Sequence, residues 1–395
     1  MEAEKIKILS GKNIICISTS DWDSHWGSRQ HIMSILSKKN CILFVEYQAS
    51  ILHPLRYKNI RKRKKYNGLR KIKERLFVYR PKLNLPFGYY LNCINKINQK
   101  YLLVQIKRIM DKLNIKKPIL WIFAPCSCEI VDKLNEEISI YHCIDSFKNE
   151  KLNSFRRNTI ERMERKLLEK TDIIFASSKK IYEEFNSFHK NTFIISSGAD
   201  NDFLEYKLEE EIPVDMQNIA HPIIGFVGTF DDRLDISLIE YLLHKEKKWS
   251  FVFIGSVIDK KSTTKLSKYK NIHFLGFKKK DELPAYVKNF DICTIPYKVN
   301  EFTQGISPVK VYEYLSLGKP TVATPLPEIL SLSNQNLIKT AENKEEFIES
   351  IDRYLNEKEG HEAKRQRRAF VLLNTWQNRT ERISELISEY IKNNR

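Results

Sequence analysis

The sequence predicts an α/β protein made of two doubly wound parallel-sheet domains, and three observations carry that expectation. Across roughly the first 200 residues, apolar runs of strand length alternate with segments whose apolar residues recur at helical spacing. That rhythm stops in a stretch bearing acids and prolines, Glu209 to Pro222. It resumes at Ile223 with IIGFVGTF, another buried-strand pattern. A chain of 395 residues is long enough for two full cores. The expected division is a first domain over residues 1–208, a linker over 209–222, a second domain over 223–375 and a closing helix over 376–395.

In the first half, NIICIS (Asn13 to Ser18) reads as a buried parallel strand, followed by a polar loop from Thr19 to Arg29. Such a loop lies at the carboxyl end of a strand, where open α/β sheets bind ligands. It holds Asp21, Asp23, His25, Gly27 and Arg29, and Gly27 lets backbone come close to a phosphate or sugar. A plain flexible loop before a helix from Gln30 to Leu36 accounts for the same residues. CILFVEY (Cys41 to Tyr47), LFVYRP (Leu76 to Pro81) and ILWIFAP (Ile119 to Pro125) are further strands. Leu103, Ile106, Met110 and Leu113 recur at helical spacing, so Tyr101 to Leu113 is expected to pack on the sheet. ISIYHCIDSF (Ile138 to Phe147) ends with Asp145 just past a strand, where an aspartate either caps a turn or faces a ligand. A charged helix from Thr159 to Lys170, the strand IIFASS, a helix near Lys179 to Phe185 and TFIISSGAD complete this half.

In the second half, Gly225 and Gly228 close the first strand without forming Gly-x-Gly-x-x-Gly, which argues against a nicotinamide enzyme. WSFVFIG, NIHFLGF, DICTIPY and PTVAT supply four more buried strands, whose glycines also suit simple strand-to-turn chemistry. The most informative stretch is GISPVKVYEYLSLGKPTVAT, Gly305 to Thr324. Ser307 suits an N-cap, Pro308 the first helical position and Gly318 a left-handed C-terminal residue, so a helix is expected over Pro308 to Leu317. Lys310 and Glu313 share one face near its start, where unpaired amides and the helix dipole favour an anion. A phosphate fits beside Lys310, and the Glu313 carboxylate can accept two hydrogen bonds from a vicinal diol such as ribose. A nucleotide is the natural ligand, although an ordinary surface ion pair has the same spacing. Residues Trp376 to Ile391 form a last amphipathic helix.

Hydrophobic content of 42% and charge of 29% describe a globular chain rather than a disordered one. No apolar run approaches the ~18 residues of a membrane span, and MEAEKIKILSGK lacks the core of a signal peptide, so the expected location is cytoplasmic. Cys16, Cys41, Cys93, Cys143 and Cys293 sit in apolar runs as small hydrophobes, while Cys126 and Cys128 lack zinc or redox spacing. The net charge of +18 calls for an anionic partner. Between Arg56 and Arg75 eleven of twenty residues are Lys or Arg, including Arg61, Lys62, Arg63, Lys64 and Lys65, against Glu74 alone. No zinc finger, RNA-recognition signature or basic zipper surrounds this run, so nucleic acid is not the expected partner. The interleaved Leu52, Leu55, Tyr57, Ile60 and Leu69 suit the headgroup region of an anionic membrane, and a solvated loop accounts for the run as well.

The run Glu313-Tyr314-Leu315-Ser316-Leu317-Gly318-Lys319-Pro320-Thr321-Val322-Ala323 resembles the donor-binding signature of the retaining nucleotide-sugar glycosyltransferases of family 4 (group 1), which have the GT-B fold. From Ile223 to Ile329 the chain is similar to a subgroup of bacterial surface-polysaccharide and teichuronic-acid-type enzymes carrying Ser-Pro-x-Lys-x-x-Glu-Tyr. The resemblance implies two Rossmann-like domains facing a cleft, with the C-terminal helix crossing back to the first. It implies donor contacts at Gly27, Gly228, Thr229, Gly255, Gly305, Ile306, Ser307, Pro308, Val309, Lys310 and Glu313, with the backbone at Phe277 and Lys278 reading the base. One departure is Gly305, which stands where the family's first Glu lies, eight residues before Glu313. Another is Asp231-Asp232-Arg233 after Gly228, which leaves the compensating charge to Arg233 or Lys310, with Lys310 preferred. Ser197-Gly198-Ala199-Asp200 looks like the family's Asn-Gly-Val-Asp. Asp145 falls in a Tyr-Asp-x-x-Asp-like pattern, with His142 where an Asp often stands, which implies a role in holding the acceptor, stabilising charge or acting as base.

The expected function is transfer of a sugar from a nucleoside diphosphate sugar to an acceptor hydroxyl on a lipid-linked or surface-polysaccharide glycan, at the inner face of the membrane. Lys310 and the helix start offset the leaving charge, so no metal or other cofactor is expected. Asp21-x-Asp23 has a metal-bridging spacing but lies in the other lobe from the phosphates. A nucleotide-sugar epimerase, a phosphorylase or a non-catalytic binding subunit on the same fold are the alternatives. A nucleic-acid-binding protein leaves the Glu313 helix without a purpose.

Overall fold

The computed structural model describes residues 8–24, 26–52, 68–147, 154–206, 211–357 and 360–394. His25 and the basic run Arg61 to Lys65 lie outside the described residues. Contacts divide the chain into two units, residues 1–196 with 377–395, and residues 197–376. The division falls at Ser196 and Ser197, earlier than the acid- and proline-bearing stretch that interrupts the sequence pattern.

Among the described residues, the first unit holds eight strands: β1 (Asn13–Ile17), β2 (Cys41–Val45), β3 (Gly68–Lys73), β4 (Leu76–Arg80), β5 (Ile119–Ile122), β6 (Ile138–Cys143), β7 (Ile173–Ala176) and β8 (Thr192–Ile194). Their order is β3-β4-β2-β1-β5-β6-β7-β8, parallel throughout except for the antiparallel pair of β3 and β4. The apolar runs named from the sequence became these strands because parallel strands are covered on both faces, so β1, β2, β5, β6 and β7 are buried almost residue by residue. Strand β3 was not anticipated. Its Arg70, Lys71 and Lys73 interrupt any apolar alternation, and charge of this kind is what blunts an exposed sheet edge.

Among the described residues, the helices before Ser197 are α1 (Ser28–Leu36), α2 (Asn92–Leu113), α3 (Ser154–Lys170) and α4 (Lys179–Asn186). Helix α2 begins nine residues before the expected Tyr101; Leu102, Ile106 and Ile109 are buried in the core, and Leu103, Met110 and Leu113 are half-buried against it, as their spacing predicts. All seven cysteines are free. Cys93 is exposed at the start of α2, contrary to its expected place in the core.

The second unit holds a six-stranded parallel sheet in the order β11-β10-β9-β12-β13-β14. Its strands are β9 (Ile223–Val227), β10 (Ser250–Ile254), β11 (Ile272–Gly276), β12 (Ile292–Ile295), β13 (Thr321–Ala323) and β14 (Lys339–Thr340). Around them lie α5 (Asn201–Leu204), α6 (Ile236–Lys245), α7 (Lys260–Leu266), α8 (Leu283–Lys288), α9 (Val309–Ser316), α10 (Pro327–Ser333), α11 (Lys344–Asn356) and α12 (His361–Leu372). The last helix, α13 (Trp376–Asn393), groups with the first unit from Gln377 onward, where the Tyr390 hydroxyl donates to Asp172 at 3.0 Å. Among the described residues, no helix is long and apolar enough to cross a membrane.

Candidate functional site

The carboxyl ends of β9 and β10 meet over two glycines. Gly255 has φ +142°, and a Cβ on it would fall 2.1 Å from the Gly228 carbonyl oxygen, so any side chain there would force the two loops apart. Gly228 in turn lies against Lys310, because a Cβ on it would sit 3.0 Å from Nζ. Thr229 is half-buried beside it.

Lys310 comes from the first turn of α9. Its ammonium donates to the Tyr297 hydroxyl at 2.5 Å and lies 5.1 Å from the Phe226 ring centre and 5.0 Å from that of Tyr297. No carboxylate among the described residues pairs with it, although Glu313 is only three residues on. Arg233, the other candidate for this charge, is held by both oxygens of Asp231 at 2.6–3.0 Å. Of the two, Lys310 is therefore the cation left to answer an anion.

The helix itself departs from expectation at one end and agrees at the other. It begins at Val309 with Pro308 as the preceding cap, and Ser307 does not cap it. The Ser307 hydroxyl instead accepts the Ser197 N–H at 3.2 Å, and its carbonyl accepts the Ser197 hydroxyl at 2.9 Å. With its hydroxyl turned to Ser197, the expected N-cap makes no bond to the first turn, and among the described residues no acceptor takes the amides of Val309 and Lys310. At the other end Gly318 has φ +67°, and the amides of Gly318 and Lys319 donate to the carbonyls of Leu315 and Tyr314 at 2.9 and 3.0 Å. This paired closure is the Schellman arrangement expected of a left-handed glycine. The buried Tyr314 hydroxyl also accepts the Val227 N–H at 2.8 Å, fixing α9 to the end of β9.

Glu313 lies one turn into α9. Its residue is 9% exposed, and among the described residues its carboxylate accepts no hydrogen bond and joins no ion pair. Burial pushes its carboxyl up from 4.5 to about 7, opposed by the charges of Lys310 and Lys280 and assisted by Asp200. Lys280 is committed to Asp200 and to Asp202, the latter at 3.1 Å. Its oxygens still touch solvent, so the carboxylate lacks a protein donor without being sealed from water. The surface ion pair that the spacing allowed is therefore not what the fold makes of Lys310 and Glu313.

Residues 221–357 match the family of glycosyl transferases group 1. The resemblance drawn from Glu313 to Ala323 holds, and the matched segment contains the whole strand, glycine and helix assembly just described. A Bacillus subtilis (strain 168) protein, TuaH, whose name assigns it to glycosyl transfer in teichuronic acid biosynthesis, is 24% identical over 251 residues. That match spans 60% of this chain and 63% of the relative, just under two thirds of its length. Among solved structures, sucrose-phosphate synthase from Thermosynechococcus elongatus superposes with a TM-score of 0.71 at 14% identity, covering 97% of this chain and 100% of that one. Anabaena HepE, solved in complex with UDP and glucose, gives 0.67 at 12%, covering 95% and 99%. These likenesses establish the fold, which is GT-B.

Within the group 1 segment, other expected donor contacts fall less simply. Gly276 has φ +71°, and Phe277 after it is 62% exposed. The Lys278 ammonium is taken by Asp215 at 2.5 Å, whose other oxygen accepts the Tyr286 hydroxyl at 2.9 Å, so this side chain braces the fold. Gly305 and Ile306 are buried, with Gly305 closing a short helical turn from Thr303. No carboxylate stands at Gly305.

In the first unit the Gly27 amide is used locally, donating to the Gln30 side chain at 3.2 Å to cap α1. No atom lies within 4 Å of where a Cβ on Gly27 would stand, so the close approach expected of this glycine is sterically open. Asp145 is exposed after β6, as the sequence placed it. His142 is not a second acid site in disguise: it is fully buried, stacked 4.9 Å from the Phe123 ring, and burial with the Arg29 charge pulls it down to about 3. Asp23 and Asp21 are each answered by arginine, at 2.6 Å by Arg70 and 3.7 Å by Arg80. Between them lies Glu46, fully buried, accepting Arg80 at 2.6 Å, Arg70 at 3.2 Å and the Trp22 N–H at 2.9 Å. Sequence reasoning passed over this hub, whose signal is an acid ending the apolar run CILFV.

Proposed function

We propose that this chain is a glycosyltransferase that takes a nucleoside diphosphate sugar in its second unit and transfers the sugar to an acceptor hydroxyl on a lipid-linked or surface-polysaccharide glycan. A UDP-sugar is the first donor to try, because HepE of the same fold is solved with UDP. The observation that carries the reading is Glu313, a buried carboxylate without a donor, one turn inside a helix whose first amides and Lys310 are open to an anion. A ribose diol supplies the two donors that the carboxylate lacks, and a diphosphate supplies the anion. As the glycosidic bond breaks, negative charge gathers on the leaving diphosphate, where the α9 amides and Lys310 stabilise it without calling on a metal. Asp145 is the proposed carboxylate on the acceptor side, and the basic run Arg61 to Lys65 the proposed anchor on an anionic membrane.

The experiment is a thermal-shift screen of nucleoside diphosphate sugars on wild type and Glu313→Ala, since a ligand that binds only the folded state raises the melting point by mass action. A UDP-sugar that shifts wild type and not the variant supports the assignment. Equal shifts in both would remove it. Turnover of donor alone into an epimer would favour the epimerase, and binding without transfer to membrane extracts would favour a binding subunit.

A further inference from the structure

The first unit contains a cavity that donor binding does not use. Its wall comes from the ends of β1, β2, β4 and β5 with the segments that follow them, and from the first half of α2. It encloses about 630 Å³ of empty space, part of it open to solvent. Among the described residues the lining includes no lysine, arginine or histidine, in a chain whose net charge is +18. The single acid on the wall, Glu46, is already committed to Arg80, Arg70 and the Trp22 amide, so it does not call for a cation. Five side-chain amides line the space instead: Gln48, Asn84, Asn95, Asn98 and Gln99.

Most of the amide donors are spent on backbone. Gln48 donates to the Lys82 carbonyl at 3.0 Å, Asn84 to that of Gln48 at 3.2 Å, Asn95 to that of Cys126 at 2.9 Å and Asn98 to that of Leu85 at 3.0 Å. The bond to Lys82 settles which end of the Gln48 amide is the donor, and it leaves Oε1 buried with no partner among the described residues. Oε1 of Gln99 is buried and alone in the same way. These two residues are 8% and 5% exposed, and a buried acceptor without a donor calls for one. The cavity therefore presents acceptors, and its occupant has to bring donors. Hydroxyl groups do so, whereas a carboxylate or phosphate brings only further acceptors and meets no cation on the wall. At the opening Phe87 has φ +68° and is 57% exposed. A bulky residue is strained in that left-handed region, and strain of this kind gathers at ligand sites. An aromatic ring beside amides suits a sugar, whose hydroxyls reach the amides while its C–H face packs on the electron-rich face of the ring.

We propose that this cavity holds an uncharged, hydroxyl-bearing sugar unit of the acceptor glycan and refuses an acidic one, with Gln48 and Gln99 accepting its hydroxyls and Phe87 packing on its C–H face. The inference rests on the chain being a glycosyltransferase, and it adds the chemical class of the acceptor through residues other than Asp145. The test uses the full-length chain without nucleotide, titrated with the methyl glycosides of glucose, galactose and their N-acetylamino counterparts, and with those of glucuronic and galacturonic acid, read by saturation-transfer NMR. A neutral glycoside is expected to bind and the two uronides to fail. Gln99→Met keeps the size and removes a lone acceptor, so it should weaken neutral binding about fivefold, the loss of one uncharged hydrogen bond. Phe87→Gly suits the left-handed backbone, so it should weaken binding at least as much with no lower melting point, which a merely structural ring would not produce. Thermal stabilisation by a UDP-sugar is expected in wild type and both variants, so failure of the donor assignment shows there and failure of this inference in the glycosides. Uronides bound as well as neutral glycosides, no neutral glycoside bound, or neutral binding undiminished in both variants would each overturn the proposal.

Discussion

Replacing Glu313 with glutamine is expected to stabilise the free protein at alkaline pH while weakening its hold on the donor. Burial raises this carboxyl from 4.5 to about 7, so between those values the folded chain keeps a proton that the unfolded chain has released. Stability from this group is fully present below pH 4.5 and is lost as pH rises through about 7. The shift corresponds to about 3 kcal/mol by the usual conversion of protonation equilibria to free energy. Glutamine keeps the shape and carries no titrating proton. The variant and wild type should therefore have nearly equal stability at pH 4.5, with the variant ahead by up to about 3 kcal/mol at pH 8, measured by denaturant unfolding of both proteins at each pH. Donor binding runs the other way. A diol donates to the ionised carboxylate, so wild-type affinity should climb as pH rises through about 7 and the variant should stay flat. Each hydrogen bond to a charged group contributes about 1.5–3 kcal/mol, and glutamine keeps one acceptor, so the expected loss at pH 8 is about 2 kcal/mol, or roughly 30-fold in Kd by calorimetry. A stability difference that is the same at both pH values, with binding unchanged, would refute both the strain assigned to Glu313 and its role.

Lys310→Gln is expected to weaken donor binding about tenfold in calorimetry, in line with loss of one charge-assisted contact, with little change in melting point. Tyr314→Phe strips the buried Val227 N–H of its acceptor, and the expected cost is about 1–3 kcal/mol in denaturant unfolding, with the donor contacts themselves untouched. Deleting Arg61 to Lys65 should release the protein from phosphatidylglycerol vesicles in sedimentation while leaving hydrolysis of a soluble UDP-sugar intact.

The two sheets were legible because a parallel strand is buried on both faces and writes itself as an unbroken apolar run, as in Ile119 to Ile122 or Ile223 to Val227. Helix α9 was legible from Gly318, whose left-handed conformation closes it. What the sequence could not supply was partnership. Nothing in Ser307-Pro308 says that the serine hydroxyl turns to Ser197, 110 residues away, instead of to its own helix. Nothing in Asp231-Asp232-Arg233 says that the arginine is spent on Asp231, or that Lys278 is held by Asp215. The start of α2, before Tyr101, escaped periodicity because the amides buried there are satisfied by loop backbone that is distant in sequence.

The same partnerships explain why Glu313 is left alone. An ionised carboxylate in a buried place tends to draw in the nearest cation, and Lys310 and Lys280 are both near enough to lower its pKa. Each is held elsewhere: Lys310 donates to Tyr297 between two aromatic rings, and Lys280 pairs with Asp200 and Asp202. Helix α9 cannot turn to bring Glu313 to either one, because Tyr314 is bonded to β9, the Ser307 hydroxyl and carbonyl are bonded to Ser197, and Gly318 closes the far end. The carboxylate is thus kept free of protein partners by rigid neighbours. Preorganisation of this kind strengthens binding because the ligand's hydroxyls displace no protein partner and reorganise nothing on arrival. If Tyr297→Phe freed Lys310 to swing onto Glu313, the pH dependence of donor binding would flatten without any change at the carboxylate itself, which makes the tyrosine a positioning residue rather than a contact.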